Sequence, residues 1–351
     1  MPPGSDSACS QAADLLYVGR NARPVDCNLG EHALSILVVG TLAFDSVTTP
    51  FGERQDALGG SGSFLSTAGA FFGPVQLSSV IGDDFSADHL DFLRSRQVDT
   101  TGVQRMPGKT FRWRGHYAND LNTAHTLETQ LNVLKTFEPR LPPSYRQARW
   151  VVLGNVDPRL QSAVLSQIDH PQLVACDTMN YWIRRSNAEL RTTLKQVDLL
   201  LVNEAEAREL SGEQNLLRAA AAIRKMGPRL VVIKRGEYGA MLIGDADTFA
   251  IPALPLLNLR DPTGAGDTFA GTMLGYLARQ GRADPPTLRQ AVVLGTVMAS
   301  FVVEDFSLDR LRTLRQSEII QRIDAIADLV GFDASSMRGA LCAHGPISAA
   351  L

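Results

Sequence analysis

A chain of 351 residues, 44% hydrophobic and 20% charged, can bury one large core or two linked ones, which excludes a chain disordered throughout. A formal charge of −3 and the lack of any long Lys/Arg run give no electrostatic basis for binding nucleic acid or an anionic membrane. Cys9, Cys27, Cys176 and Cys342 lack disulfide-framework or zinc spacing, and neither a secretory leader pattern nor about 18 uninterrupted apolar residues is seen, so a soluble cytoplasmic protein acting on small molecules is expected.

Residues 1–33 read as an N-terminal extension, and regular patterning begins with the β-branched run Ile36 to Gly40, a buried strand ending in glycine. Small and apolar residues at helical spacing follow from Ser61 to Phe72, then a strand at Val75 to Val80 and a helix at Ser86 to Arg94, which close a βαβ-like unit. From Thr110 to Tyr117 the side chains alternate, with Phe111 and Trp113 on one face and Arg112 and Arg114 on the other. Segments 46–58 and 109–121 are the least helix-like of this half and read as a small β lid over a cleft. Apolar strands at Trp150–Leu153, Leu173–Cys176, Leu199–Val202 and Leu230–Ile233 then alternate with helical stretches near Leu160–Ile168, Ala188–Leu194 and Leu216–Met226. Such alternation predicts an α/β domain over 34–332, a mainly parallel sheet flanked by helices with ligand loops at the carboxyl ends of its strands, followed by a loose tail at 333–351.

The segment richest in chemistry is Asp261-Pro-Thr-Gly-Ala-Gly-Asp267, a glycine turn that runs into the apolar-periodic helix ending near Ala278. Glycines there let several backbone N–H groups point outward together, and with the positive end of the helix dipole they suit a phosphate. An isolated Gly-Ala-Gly-Asp reads more simply as a helix start with a favourable acid. Beside an anion site, however, the Asp267 carboxylate can take the proton of a hydroxyl that attacks phosphorus. No GxxxxGK[ST] loop is present, and a dinucleotide GxGxxG begun at Gly264 fails because Phe269 stands at its third glycine. GxSxG and HExxH are missing too, which removes the usual hydrolase cues.

Asp261-Pro-Thr-Gly-Ala-Gly-Asp267-Thr-Phe-Ala-Gly271 resembles the second signature of the ribokinase/PfkB carbohydrate kinase family. A weaker first signature is found in Gly59-Gly60-Ser61-Gly62-Ser63 and Val80-Ile-Gly82-Asp83-Asp84-Phe85, so the resemblance covers about residues 35–330. It implies a ribokinase-like fold, ATP as donor and Mg²⁺ as bridging ion, with Asp267 as catalytic base and Gly264, Ala265 and Gly266 as anion hole. Asn203-Glu-Ala-Glu206 is similar to the family's Asn-x-x-Glu element, which organises Mg²⁺ and its waters, and Lys234-Arg235-Gly236-Glu-Tyr-Gly239 to its strand-end turn beside the nucleotide. Asp45 matches the acid that holds acceptor hydroxyls, as a carboxylate accepting two hydrogen bonds from a diol can. The same acceptor site would include Gly59, Gly60 and Ser61.

Asp261 and Thr263 fall where ribokinases contribute to a monovalent-cation site, which makes K⁺ a candidate activator and puts Thr263 near the nucleotide. Where many relatives carry an Asn beyond the double glycine, this chain has Ser63-Phe64, so its acceptor contacts differ, with Phe64 and Trp113 as a candidate apolar wall and Arg112 and Arg114 as candidates for an anionic acceptor. The loop Asp177 to Arg184 is similar to one the family places near the phosphates. The expected acceptor is a sugar or polyol, with a nucleoside as the alternative. A non-catalytic binder that kept the fold is a third reading, opposed by retention of Asp267. Family lids often pair between subunits, which leaves a homodimer through the lid open.

Overall fold

The structure, a computed structural model, describes residues 35–118, 121, 123–245 and 247–331; the extension 1–33 and the tail 333–351 lie outside the described residues. In chain order the strands are β1 (Ile36–Val39), β2 (Ala43–Thr49), β3 (Gly52–Gly59), β4 (Val75–Ile81), β5 (Val98–Asp99), β6 (Val103–Arg105), β7 (Phe111–Tyr117), β8 (Ala124–Gln130), β9 (Trp150–Leu153), β10 (Leu173–Asp177), β11 (Leu199–Asn203), β12 (Leu230–Lys234), β13 (Ala240–Ile243) and β14 (Thr248–Ile251). The helices are α1 (Ser61–Gly69), α2 (Ala87–Ser95), α3 (Pro158–Leu165), α4 (Asn180–Arg185), α5 (Asn187–Leu194), α6 (Glu204–Ser211), α7 (Leu216–Arg224), α8 (Ala265–Gln280), α9 (Pro285–Val302), α10 (Asp309–Thr313) and α11 (Gln316–Val330).

Among the described residues a ten-stranded sheet runs in the order β14-β13-β12-β11-β10-β9-β1-β4-β5, with β6 beside β4. It is parallel from β4 through β1 and β9 to β12, and antiparallel only where β13 and β14 extend one edge. Strands β1, β9, β10, β11 and β12 are apolar at nearly every position because both faces are covered. Alternate residues serve opposite layers: Ile36, Val38, Trp150, Val152, Leu199 and Leu201 pack towards α8 and α9, while Leu37, Val39, Val151, Leu153, Leu200 and Val202 pack with residues of α3, α5, α6 and α7. A mainly parallel sheet covered by helices is therefore present, as the alternation in the sequence predicts.

A second, four-stranded sheet has the order β3-β2-β7-β8, with β2 and β7 parallel and both outer pairs antiparallel. β7 lies within the second lid segment read from the sequence and β3 overruns the first by one residue, while β2 starts earlier, at Ala43, and β8 lies beyond both segments. The Ala-His-Thr-Leu-Glu-Thr-Gln sequence of β8 is exposed throughout, so it carries no apolar face to reveal its period.

The α1–α8 contact sets where the glycine-rich turn ends up. Gly271 permits it, since a β-carbon there would lie 2.2 Å from the Leu65 carbonyl oxygen. Gly271→Ala must push the two helices apart, and we expect it to lower unfolding free energy by about 1–3 kcal/mol. A urea midpoint equal to wild type would show that the helices are not held this closely.

Candidate active site

The parallel strands direct their carboxyl ends to one side, where open α/β sheets bind ligands. Asp177 ends β10, Asn203 ends β11 and Lys234 ends β12. Asn203 and Lys234 are direct partners in register, and the lysine reaches across this strand end to place Nζ 2.7 Å from Asp177 Oδ2.

Helix α8 begins beside them. Gly264 caps it in the left-handed region at φ 77°, a conformation that most other residues resist, and the ring of Phe64 lies against the same glycine, 2.4 Å from where a β-carbon would sit. The Ala265 amide donates to Pro262 O at 3.2 Å, whereas Gly266 and Asp267, as the next residues of the first turn, have amides without intrahelical acceptors. Among the described residues the amides of Gly266 and Asp267 thus stand without helical partners at the start of α8, next to the Asp267 carboxyl. The Asp267 carboxyl is half-buried in this turn. Loss of water raises its pKa, the charge of Asp177 adds to the rise, Lys234 opposes it, and Asp45 raises it further.

Asp45 comes from lid strand β2 and is buried. Oδ2 accepts the Gly60 N–H at 3.1 Å, and a β-carbon at Gly59 would overlap that oxygen at 2.0 Å, so the double glycine and the acid form one fitted unit. Burial lifts the Asp45 pKa from 3.8 to about 7, against the Gly60 hydrogen bond and with help from Asp261. Asp45, Phe64, Asp261 and Thr263 line one narrow cavity with Val47, Arg54, Ala57, Leu58 and Ser307. Its volume of about 10 Å³ is far below the several hundred Å³ of a ligand pocket, so the lid rests closed against the body.

Other predicted residues take different places. Ser61 is occupied with Thr41, its N–H donating to Thr41 Oγ1 at 3.1 Å and its Oγ accepting Thr41 N–H at 3.2 Å. Trp113 does not border the cavity; it donates Nε1–H to Thr126 and lines a separate lid depression of about 160 Å³ with Arg112 and Arg114. Arg112 stacks 4.7 Å from the Phe44 ring centre and pairs with Asp56 and Asp84, and Arg114 pairs with Glu128. Arg184 is held by Glu209. Arg235 donates to Glu204 at 2.6 Å, beside the Gly236–Gly239 turn that joins β12 to β13.

Asn203 and Glu206 form a reciprocal capping box: Glu206 Oε2 accepts the Asn203 N–H and Asn203 Oδ1 accepts the Glu206 N–H, both at 2.8 Å. Glu206 is buried rather than solvated, and its pKa is raised by burial, lowered by Lys234 and raised again by Asp177 and Asp267. Asp261 is buried and accepts the Thr263 N–H at 2.9 Å.

Asp177 opens the loop whose resemblance points to the phosphates, and the structure makes it the partner of Lys234; one further neighbour escapes a reading of motifs. Tyr117 reaches from the lid to put its hydroxyl 3.3 Å from Thr263 Oγ1, and burial raises its pKa. Only the predicted strand end in Thr110–Tyr117 pointed towards it.

Known proteins show the same organisation. The chain matches the pfkB family carbohydrate kinases over residues 40–311. A cytidine kinase of Thermococcus kodakarensis is 32% identical over 277 residues, which cover 77% of this chain and 96% of that one. The nucleoside kinase of Burkholderia thailandensis in complex with inosine superposes with a TM-score of 0.67 at 18% identity, covering 83% of this chain and 98% of that chain. An Escherichia coli protein described as a ribokinase II, in complex with ATP and Mg²⁺, gives 0.68 at 18% identity, covering 83% and 99%. On the span of the family match and the identity to the cytidine kinase, the chain belongs to the pfkB family of carbohydrate kinases, phosphotransferases whose acceptor is a hydroxyl group.

Proposed function

We propose that this kinase transfers the γ-phosphoryl group of ATP to a hydroxyl of a nucleoside, with Asp267 as the general base. The position of Asp267 carries the proposal: its carboxyl shares the first turn of α8 with amides that lack intrahelical acceptors, and Asp45 lies close enough to perturb its pKa. The amides of Gly266 and Asp267 would hold phosphoryl oxygens while the carboxylate takes the proton of the attacking hydroxyl. Gly264 supplies the left-handed turn that opens α8, with the Phe64 ring packed against it.

Asp45 is assigned to the acceptor's hydroxyls. Only one of its oxygens is engaged by Gly60 among the described residues, so the other can accept from a sugar ring. A nucleoside is favoured over a free sugar or polyol by the cytidine kinase that aligns along 96% of its own length and by the likeness to an inosine-bound nucleoside kinase. Lid opening must precede its entry, and closure behind it would exclude water from the transfer.

Mg²⁺ would supply positive charge to offset that of the phosphate oxygens. Glu206 fits a water-mediated place beside it, since the capping box uses Oε2 and leaves Oε1 over, and Asn203 fixes the carboxylate's orientation. Among the described residues no three acids, histidines or cysteines converge as a cage, which suits an ion held chiefly by phosphates and water. The Lys234–Gly239 turn and Thr263 are given to the nucleotide side. Buried Asp261 with Thr263 supports a K⁺ site, and the wholly exposed edge strand β8 supports pairing of lids in a homodimer.

Asp267→Asn is expected to lower kcat by about 10²–10⁴ with ATP affinity kept, measured as ATP consumption against cytidine, inosine, adenosine, ribose and polyols. Turnover with ribose or a polyol and no nucleoside would move the acceptor to the sugar class; binding without turnover in the wild type would favour a non-catalytic binder. Because the base must be ionised and its pKa is raised, kcat/KM should climb with pH through a value above the ordinary carboxylate range. An acidic limb at that ordinary value would contradict the assignment.

Asp45→Asn should raise the acceptor KM at least about tenfold, the loss of one charged hydrogen bond, while leaving the KM for ATP in place. The folded Asp45 binds its proton more tightly than the unfolded one, so ionising it costs stability as pH rises from 3.8 to about 7. Thermal melts of the ligand-free protein should fall across that window, less steeply in the Asn variant; equal slopes would count against a buried, acceptor-facing carboxyl.

A further inference from the structure

The proposed transfer gives the buried cation Lys234 a place on the nucleotide side but no chemical task for its ammonium. Its side chain and that of Asp177 are 17% and 6% exposed, and they meet at 2.7 Å across the end of β11. The ammonium also stands against the first turn of α8, where a β-carbon on Gly266 would come within 2.9 Å of Nζ. A side chain at 266 would crowd the lysine, whose amine lies beside the amides assigned to the phosphoryl oxygens. An ammonium has three N–H donors, and Asp177 accepts one. Burial disfavours its charge, but Asp177 and Glu206 more than offset that and keep it protonated.

Resting on the proposed function above, we propose that Lys234 is a catalytic residue that contacts the transferred phosphoryl group, and that Asp177 is the positioning residue that aims it. In the transfer, the acceptor oxygen bonds to phosphorus as the bond from phosphorus to the β,γ-bridging oxygen breaks. ADP leaves with that electron pair, the hydroxyl proton passes to Asp267, and Lys234 keeps its own proton. Its charge opposes the negative charge that a polyphosphate adds to a pocket already holding Asp177, Glu206 and Asp267. A lysine whose only task is to neutralise Asp177 has no need to lie against Gly266.

The test uses Lys234→Ala in the full chain. The proposal expects kcat to fall by about 10²–10³, ATP binding to weaken at least about tenfold by the loss of one charged contact, and ADP binding to stay within about threefold. Ethylammonium should restore turnover at least about tenfold by filling the truncated site, and Asp177→Asn should lower kcat without becoming rescuable. Unchanged kcat would overturn the proposal, as would equal weakening of ATP and ADP with no rescue by any amine, the pattern of a purely structural ion pair. If the alanine variant fails to fold, Lys234→Met supplies the same ATP-against-ADP comparison. That comparison needs no acceptor, so failure of the nucleoside or Asp267 assignment, read separately from Asp267→Asn, would not be confused with failure here.

Discussion

Gathering carboxyl groups at the ends of a buried sheet is the constraint on which the site depends. Asp45, Asp177, Glu206 and Asp267 are drawn into a region with little water, where Asp177 and Asp45 raise the cost of ionising Asp267, and Asp177 and Asp267 raise that of Glu206. Two features oppose that cost: the ammonium of Lys234 and the positive end of α8. Both depend on close packing, of α8 on α1 through Gly271 and of Lys234 on Gly266. The arrangement is poor for stability and good for chemistry, because a fold that tolerates excess negative charge when empty has its compensating donors already in place for a phosphate.

Much of this was legible in the residues. The apolar runs at Ile36, Trp150, Leu173, Leu199 and Leu230 are uninterrupted because parallel strands are covered on both sides, so their presence and their sheet followed from composition alone. The glycine turn and the acid after it were legible as the start of α8, while the role proposed for Asp267 came from the resemblance of the whole segment Asp261 to Gly271. Long-range pairing was not: nothing local tells that Lys234 meets Asp177, 57 residues earlier. Nor does local pattern separate Trp113 from Phe64; both are aromatic and near the proposed acceptor site, yet one packs on the anion turn and the other borders a different depression. Strand β8 escaped because register with β7, rather than burial, makes it a strand.

The lid is joined to the body by polar contacts whose partners sit in the weaker first signature. Asp84 accepts from the Thr110 N–H and hydroxyl, both at 2.7 Å, just before β7 begins, and it pairs with Arg112. Burial alone would raise its pKa, but these donors hold it below the ordinary value. Arg112 in turn lies over Phe44, which packs on Phe85. Asp83-Asp84-Phe85 therefore anchors the start of β7, whose far end brings Tyr117 to Thr263.

At its other side the lid is secured to the far end of the chain. Arg54 pairs with Asp309 at 2.9 Å, across 255 residues of sequence, and Ser307 donates its hydroxyl to the Leu58 carbonyl across 249. Contacts of such separation form late in folding, and synthesis proceeds from the N-terminus. A nascent chain will therefore have most of its sheet strands available while the lid is still unfastened and Asp45 has only part of its surroundings. Fastening of the small sheet waits for Ser307 and Asp309, so a chain cut short after α8 would carry the proposed base and its glycine turn but no secured cover for them.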